Sequence, residues 1–449
     1  MLVVEESAIG VEDDFFALGG DSILAARVQA RLAADLGVRL SGRALFDRRT
    51  VAALAAELPG ADPADPPIEP VPRTGPLPLA PVQRGLWLTE QTAGGAANTT
   101  GIGVRLTGPL QRAALQRALD RLADRHDALR TTFAVVDGEP VQVVADRAAL
   151  PLGDAASAEE ALAAPLDVVA GPTTRAVLVP VGPDEHVLVL AQHHLVTDGW
   201  SAGVLTAELT ALYGEETGGP PADLAPLPVQ YPDFAVWQAQ RPDDPEGLAH
   251  WGERLAGLRP LELPTDRPRP RVRVGAGAVH RREVPADLVR ALTKLGAAHD
   301  ATLFMTLTAA VQLVLAAVTG DRDVAVGAVR SGRPRPELDG VVGYFVNTVV
   351  VRSTVDPTVR FSDFLAAVRA TVLDVFDHDG VPFDRVVDHV AAERDPSRTP
   401  LVQAAVALQQ PVVRPRRRAG CGSRRRTCPA RPPASTWPSS SGRAPTRSP

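Results

Sequence analysis

The chain has almost no lysine: among its 47 basic residues only Lys294 is one, and the rest are arginine. With so much alanine, glycine and proline, that reflects a GC-rich coding sequence and carries no functional message. Cysteine is nearly as scarce. Cys421 and Cys428 are the two present, both near the C-terminus, so the body of the chain offers no disulfide framework and no thiolate chemistry. No apolar run approaches the roughly 20 residues that span a bilayer. The start, Met1 to Glu6, lacks the basic region and apolar core of a signal peptide, so a cytoplasmic location is expected. A basic stripe is missing too. The net charge of −6 conceals ten arginines after Val412 with no acidic residue among them, which leaves 37 basic against 53 acidic residues, a net −16, for the rest. Nucleic-acid binding by the body is thereby excluded. The body also lacks a GxSxG elbow, which argues against a serine nucleophile.

What is present divides into segments. Length suggests two or three domains. Residues 1–58 read as a small helical unit, in which Phe15 to Ser22 leads into an apolar-periodic helix from Ile23 to Leu32 and a second helix runs from Val51 to Leu58. Ser22 falls at the start of the first helix, where free N–H groups and the helix dipole favour anions. From the local pattern alone an N-cap role is the commoner fate of such a serine. Residues 59–76 are rich in Pro, Asp and Gly and read as a semi-extended linker. The body then mixes helix and strand in two comparable halves, 77–250 and 251–410. Its clearest helices are Leu110 to Arg130, Ala286 to Ala297, Thr302 to Thr319 and Phe361 to Phe376. Strand patterns fall at Gly101 to Leu106, Ala134 to Val144, Thr174 to Pro180, Glu185 to Gln192, Asp323 to Val329, Val346 to Arg352 and Val402 to Gln409. Residues 411–449, crowded with Arg, Pro and Ser, read as a disordered or frameshifted tail.

Near the middle stands His193-His194-Leu195-Val196-Thr197-Asp198-Gly199-Trp200-Ser201. It follows a strand-like run, Val187 to Ala191. If the strand continues, the two imidazoles point to opposite faces. Gly199 ends the regular structure, and Ser201 is placed to cap a helix over Val204 to Leu212. Three chemistries are open to this knot. A metal site would need a third ligand, and none lies nearby in sequence. A satisfied structural cluster is one alternative; an acid/base pair, with histidine titrating near neutrality, is the other.

Two resemblances narrow these choices. Asp-Asp-Phe-Phe-Ala-Leu-Gly-Gly-Asp-Ser resembles the attachment motif of peptidyl carrier domains in nonribosomal peptide synthetases, which implies that Ser22 carries covalent 4'-phosphopantetheine. His193 to Ser201 resembles the HHxxxDG signature of condensation domains from the same synthetases. Further matches in order support it: APVQRGLWL at Ala80, RHDALRTTF at Arg125, YPDFAVWQ at Tyr231, VGYFVNT at Val342, DGVPFDRVVDHV at Asp379 and SRTPLVQAAVALQQ at Ser397.

The resemblance implies an α/β, two-lobed fold like that of chloramphenicol acetyltransferase, preceded by a partial carrier domain. It implies an acyl or peptidyl donor and an aminoacyl acceptor, each a thioester on a carrier, joined in a peptide bond within a tunnel. His194 would be the base, or would orient the amine, with His193, Asp198 and Gly199 completing the catalytic motif. Asp198 would form a structural ion pair with Arg130. Gly199 would give the acceptor close backbone access; Trp200, Ser201 and Asn347 are candidate tunnel residues, although Trp200 reads more readily as packing and Asn347 equally as a satisfier of backbone groups. No metal is expected. Partners would be neighbouring synthetase modules, their carrier domains and a phosphopantetheinyl transferase.

Trp200-Ser201 argues against an epimerisation domain, and the histidine pair against heterocyclisation. A CoA-dependent acyltransferase of the same fold and a non-catalytic remnant that only docks carriers are the other readings. The carrier and the C-terminal lobe are both expected to be shorter than the family pattern, and the donor is expected to be L-configured.

Overall fold

The computed structural model describes residues 9–93, 98–147, 149–272, 277–390, 395–409 and 436–437. The chain opens with helix α1, Ser22–Leu36, which Asp21 starts by accepting from the amides of Ile23 and Leu24. Gly37, at φ 68°, ends it in the left-handed conformation that glycine adopts without strain. Strand β1 (Val38–Arg39), short helices α2 (Ala44–Asp47) and α3 (Val51–Ala55), and strand β2 (Asp62–Pro63), paired with β1, complete the unit. Helix α3 stops three residues short of the expected Leu58, and a 3₁₀ turn takes over at Leu58–Gly60. The unit has little core of its own. Ala25, Ala44, Leu45, Phe46 and Leu54 belong to one apolar cluster with Phe304, Val372 and Phe376 of the C-terminal lobe.

The linker is extended, as its composition suggests, but it is strapped down. Val71 donates its amide to Asp233, Trp237 donates to the Pro66 carbonyl, and Arg73 bridges Asp127 and Asp233 at 2.8 and 2.7 Å. Ile68 is buried in an apolar cluster that joins the lobes.

The N-terminal lobe runs β3 (Leu77–Pro78), α4 (Pro81–Ala93), β4 (Thr99–Thr107), α5 (Arg112–Arg125), β5 (Thr131–Val136), β6 (Glu139–Val144), β7 (Leu152–Asp154), α6 (Ala158–Ala163), β8 (Thr174–Gly182), β9 (Glu185–His193), α7 (Gly199–Glu216) and α8 (Tyr231–Ala239). Helix α5 is shorter than its apolar pattern, because His126 turns extended and a 3₁₀ turn, Asp127–Arg130, follows. Strand β9 sits inside a sheet, between β4 and β8. One of its faces, Leu188 and Leu190, meets Leu115, Leu119 and Leu122 of α5 and Leu205 of α7. The other, Val189 and Ala191, is covered by Ala161 and Leu162 of α6. A strand covered on both faces reads as a continuous apolar run.

The second lobe comprises α9 (Pro245–Arg254), α10 (Ala286–Ala297), α11 (Leu303–Thr319), β10 (Asp323–Arg330), β11 (Asn347–Thr354), α12 (Phe361–Asp377), α13 (Phe383–Val390) and β12 (Ala405–Val406). Strands β10 and β11 pair antiparallel over eight positions, and β12 lies parallel to β10. The strand expected over Val402 to Gln409 is confined to two residues. The change of lobe falls just before α9, since Trp251 and Leu255 pack in the C-terminal core. Between the lobes Tyr231, Phe234 and Trp237 pack on Leu338, Val341 and Phe345. The expected tail lies outside the described residues, as do both cysteines, except for a short β13 (Thr436–Trp437) paired with β4. No helix among the described residues is long and apolar enough to cross a membrane.

Candidate active site at the lobe junction

Strand β9 carries its ladder as far as His193, and a 3₁₀ turn, His194–Val196, then lifts the chain out of the sheet. The two histidines therefore part company through this turn. His193 is fully buried: its Nδ1 accepts from the Leu195 amide at 3.2 Å, and its Nε2 lies 3.2 Å from Glu90 Oε2. Burial lowers its pKa, with Glu90 pulling the other way. His194 is only partly covered. Its Nδ1 lies 2.7 Å from the Thr197 carbonyl. A carbonyl can only accept, so Nδ1 is the donor, and in the neutral imidazole the lone pair falls on Nε2. The Tyr344 ring stands edge-on to the imidazole at 5.1 Å and 81°, and burial, assisted by Asp198 and Asp384, pushes its phenol up to about 12, so it stays neutral. Glu90 carries no signal of its own in the sequence; Tyr344 falls within the VGYFVNT match, where the sequence singles out Asn347 and not the tyrosine.

Asp198 does not pair with Arg130. Its partner is Arg333, whose Nη2 lies 3.2 and 3.3 Å from the two carboxylate oxygens. Arg333 side-chain exposure is 2% and Asp198 0%. Arg130 is captured locally instead, by Asp127 three residues before it at 2.5 Å and by the Ala145 carbonyl. The expected cap is also corrected. Asp198, not Ser201, starts α7, accepting from the Ser201 amide at 2.7 Å; the helix begins at Gly199, several residues before the apolar pattern at Val204. Asp198 also accepts from the Phe345 amide, so one carboxylate ties the N-terminal lobe to the loop before β11. Arg333 adds bonds to the carbonyls of Leu338 and Val341 and lies over the Phe345 ring at 3.7 Å.

The candidate tunnel residues separate. Ser201 is fully buried, and its hydroxyl accepts from Arg333 and the Gly343 amide while lying 2.7 Å from Asp198. It is a knot between lobes and not a lining residue. Asn347 likewise satisfies backbone, bonding Asp379 O, Val381 O and the Phe383 amide. Trp200 is half-buried and donates to the Asp339 carbonyl at 2.8 Å. Gly199 is exposed, and a Cβ there would approach Gln409 Nε2 to 3.1 Å.

Ser22 is the first residue of α1, and Asp21 has already taken the capping role. Its hydroxyl is thus not committed to the helix, which fits a covalent attachment point for 4'-phosphopantetheine. One group among the described residues, His250, Asp374 and His378, has metal-ligand chemistry, but the two imidazoles stack at 3.5 Å and Arg254 holds Asp374 at 2.9 Å.

A two-lobed α/β body with HHxxxDG at the lobe junction defines a fold like that of chloramphenicol acetyltransferase. Family models match on the same residues: a condensation domain over 74–417 and a phosphopantetheine attachment site over 2–58. The chain belongs to the condensation-domain family of nonribosomal peptide synthetases, with a phosphopantetheine-carrying domain ahead of it. It is 38% identical over 434 residues to a linear gramicidin synthase of Brevibacillus parabrevis, covering 91% of this chain and 8% of that one. It is also 38% identical to phosphinothricin tripeptide synthetase PhsC of Streptomyces viridochromogenes, covering 84% and 36%. The chain thus spans only a small part of its curated relatives. Among solved structures, the X-domain from teicoplanin biosynthesis is similar at a TM-score of 0.66 and 27% identity, over 76% of this chain and 79% of that one. The first condensation domain of the CDA synthetase shares the fold at 0.63 and 20%, over 75% and 80%.

Proposed function

We propose that this chain forms peptide bonds between carrier-bound substrates, with His194 as the residue at the reacting atoms. The observation that supports it most is the tautomer: Nδ1–H donates to the Thr197 carbonyl, and in the neutral imidazole the Nε2 lone pair is left for the acceptor amine. The 4'-phosphopantetheine arm supplies the donor as a thioester. His194 Nε2 accepts a hydrogen bond from the incoming amine and takes its proton as the C–N bond forms and the C–S bond breaks; the proton then passes to the departing thiolate. General-base help of this kind is worth about 10²–10⁴-fold, and confinement of two tethered reactants contributes more. Tyr344 restrains the imidazole plane. Asp198 and Arg333 act at one remove, by holding the lobes in register around His194.

Ser22 serves as the donor attachment point on this reading, which makes a phosphopantetheinyl transferase, the neighbouring modules and a downstream aminoacyl carrier the partners, in the cytoplasm. The test is a single turnover with an acyl group loaded on Ser22 and an aminoacyl thioester on a separate downstream carrier. The expected product is the condensed chain on the downstream carrier, read by intact mass. Transfer from free acyl-CoA with none from the loaded carrier would overturn the assignment in favour of a stand-alone acyltransferase.

A further inference from the structure

Ser22 is only 8% exposed. That is little for a side chain that an enzyme must reach, and the helix it opens is held against both lobes. Helix α1 packs against the 3₁₀ turn Pro336–Leu338. Arg27 on α1 ion-pairs with Asp339 at 2.8 Å, and its guanidinium lies 5.3 Å from the centre of the Trp200 ring. Trp200 in turn donates to the Asp339 carbonyl. One arginine therefore joins the carrier helix to both lobes, next to the corner that bears His194. The rest of the contact is close. A Cβ on Gly42 would fall 2.5 Å from the Phe376 carbonyl, the Arg43 amide donates to Asp377 at 3.0 Å, and Arg49 pairs with Asp300.

We propose that this is a closed state, with Arg27 as its latch, and that Ser22 is modified only when the carrier unit has swung away. The proposal rests on the reading of Ser22 as the attachment point. The transferase step forms the Ser22 Oγ–P bond and breaks the pyrophosphate bond of coenzyme A, releasing adenosine 3′,5′-bisphosphate and the serine proton. A transferase has to surround the serine and the start of α1, the helix that Arg27 holds against both lobes. If docking and opening exchange faster than modification, the observed rate scales with the open fraction. A half-exposed ion pair reinforced by an arginine–tryptophan contact shifts that fraction by about fivefold.

The experiment uses the apo chain, coenzyme A and a broad-specificity phosphopantetheinyl transferase, with loading followed by intact mass over time. Arg27→Ala and Asp339→Asn are compared with wild type and with Ser22→Ala. Asp339 lies outside the carrier unit, so its variant acts on the latch without touching the carrier fold. Both latch variants are expected to load about fivefold faster to the same final extent, and Ser22→Ala not at all. Equal rates for wild type and both variants would overturn the latch. Absence of the added mass in every form, or its persistence in Ser22→Ala, would overturn the attachment reading, and the latch with it.

Discussion

Arg333 closes on Asp198 from the opposite lobe at 3.2 Å, and neither side chain sees solvent. A buried pair of this kind contributes little over an apolar replacement, yet breaking it from one side strands a charge. Arg333→Ala and Asp198→Ala are each expected to cost about 3–5 kcal/mol in urea denaturation. The double variant should cost clearly less than their sum, because each single change already removes the shared interaction. Arg130→Ala leaves Asp127 still paired with Arg73 and should cost only about 1 kcal/mol. A loss for Arg130→Ala equal to that for Arg333→Ala would count against this pairing.

Arg73 is the strap that holds the linker. It pairs with Asp233 and shares Asp127 with Arg130, and the two carboxylate side chains are 2% and 7% exposed. Arg73→Ala is expected to destabilise by about 3 kcal/mol or more, and to make residues 59–76 the first site cut in limited proteolysis. Unchanged proteolysis would show that the linker holds by its apolar contacts alone.

The buried histidine sets a pH dependence. His193 has its pKa held below 6.5 by burial, with His250 shifted the same way by burial and by the neighbouring His378. In the unfolded chain each takes up a proton near 6.5, while the folded form resists. Stability is therefore full above about pH 6.5 and falls as the pH drops below it, by at most about 1.4 kcal/mol per pH unit for each group. Denaturation midpoints at about pH 7.5 and 5.5, on either side of that value, should differ less for His193→Asn than for wild type. An equal drop in both would mean that His193 does not set the dependence.

Tyr344 tests whether ring restraint matters. Tyr344→Phe keeps the edge contact with His194 and should leave turnover near wild type. Tyr344→Ala loses it and should lower kcat up to about tenfold, the worth of one aromatic contact, with KM little changed.

How much of this was legible in the sequence depends on distance along the chain. The strand before HHLVTDGWS and the helix after it read directly from their apolar runs, but Gly199, which signals a break in the sequence, is the first residue of that helix. The partner of Asp198 did not. Arg130 sits in a motif and invites the pairing, but Asp127 lies one 3₁₀ turn away and takes it first, whereas Arg333 is 135 positions from Asp198 with only a Gly-Arg-Pro stretch around it. The caps misled for a similar reason. Asp198 starts α7 and Asp21 starts α1, where short-range patterning favours Ser201 and Ser22. The linker composition shows an extended chain but not that Asp233, far downstream, would bind it. The fusion of the carrier core with the second lobe has no local signature either, since its apolar residues serve equally well as the interior of a separate unit.

The central claim is that His194 acts at the reacting atoms while Asp198 keeps the architecture. Single-turnover condensation by His194→Ala, measured beside wild type at equal melting temperature, tests it most directly. The predicted result is a loss of about 100-fold or more in the rate of product formation, with folding and Ser22 loading intact. A folded, loaded His194→Ala chain that condenses at the wild-type rate would contradict it.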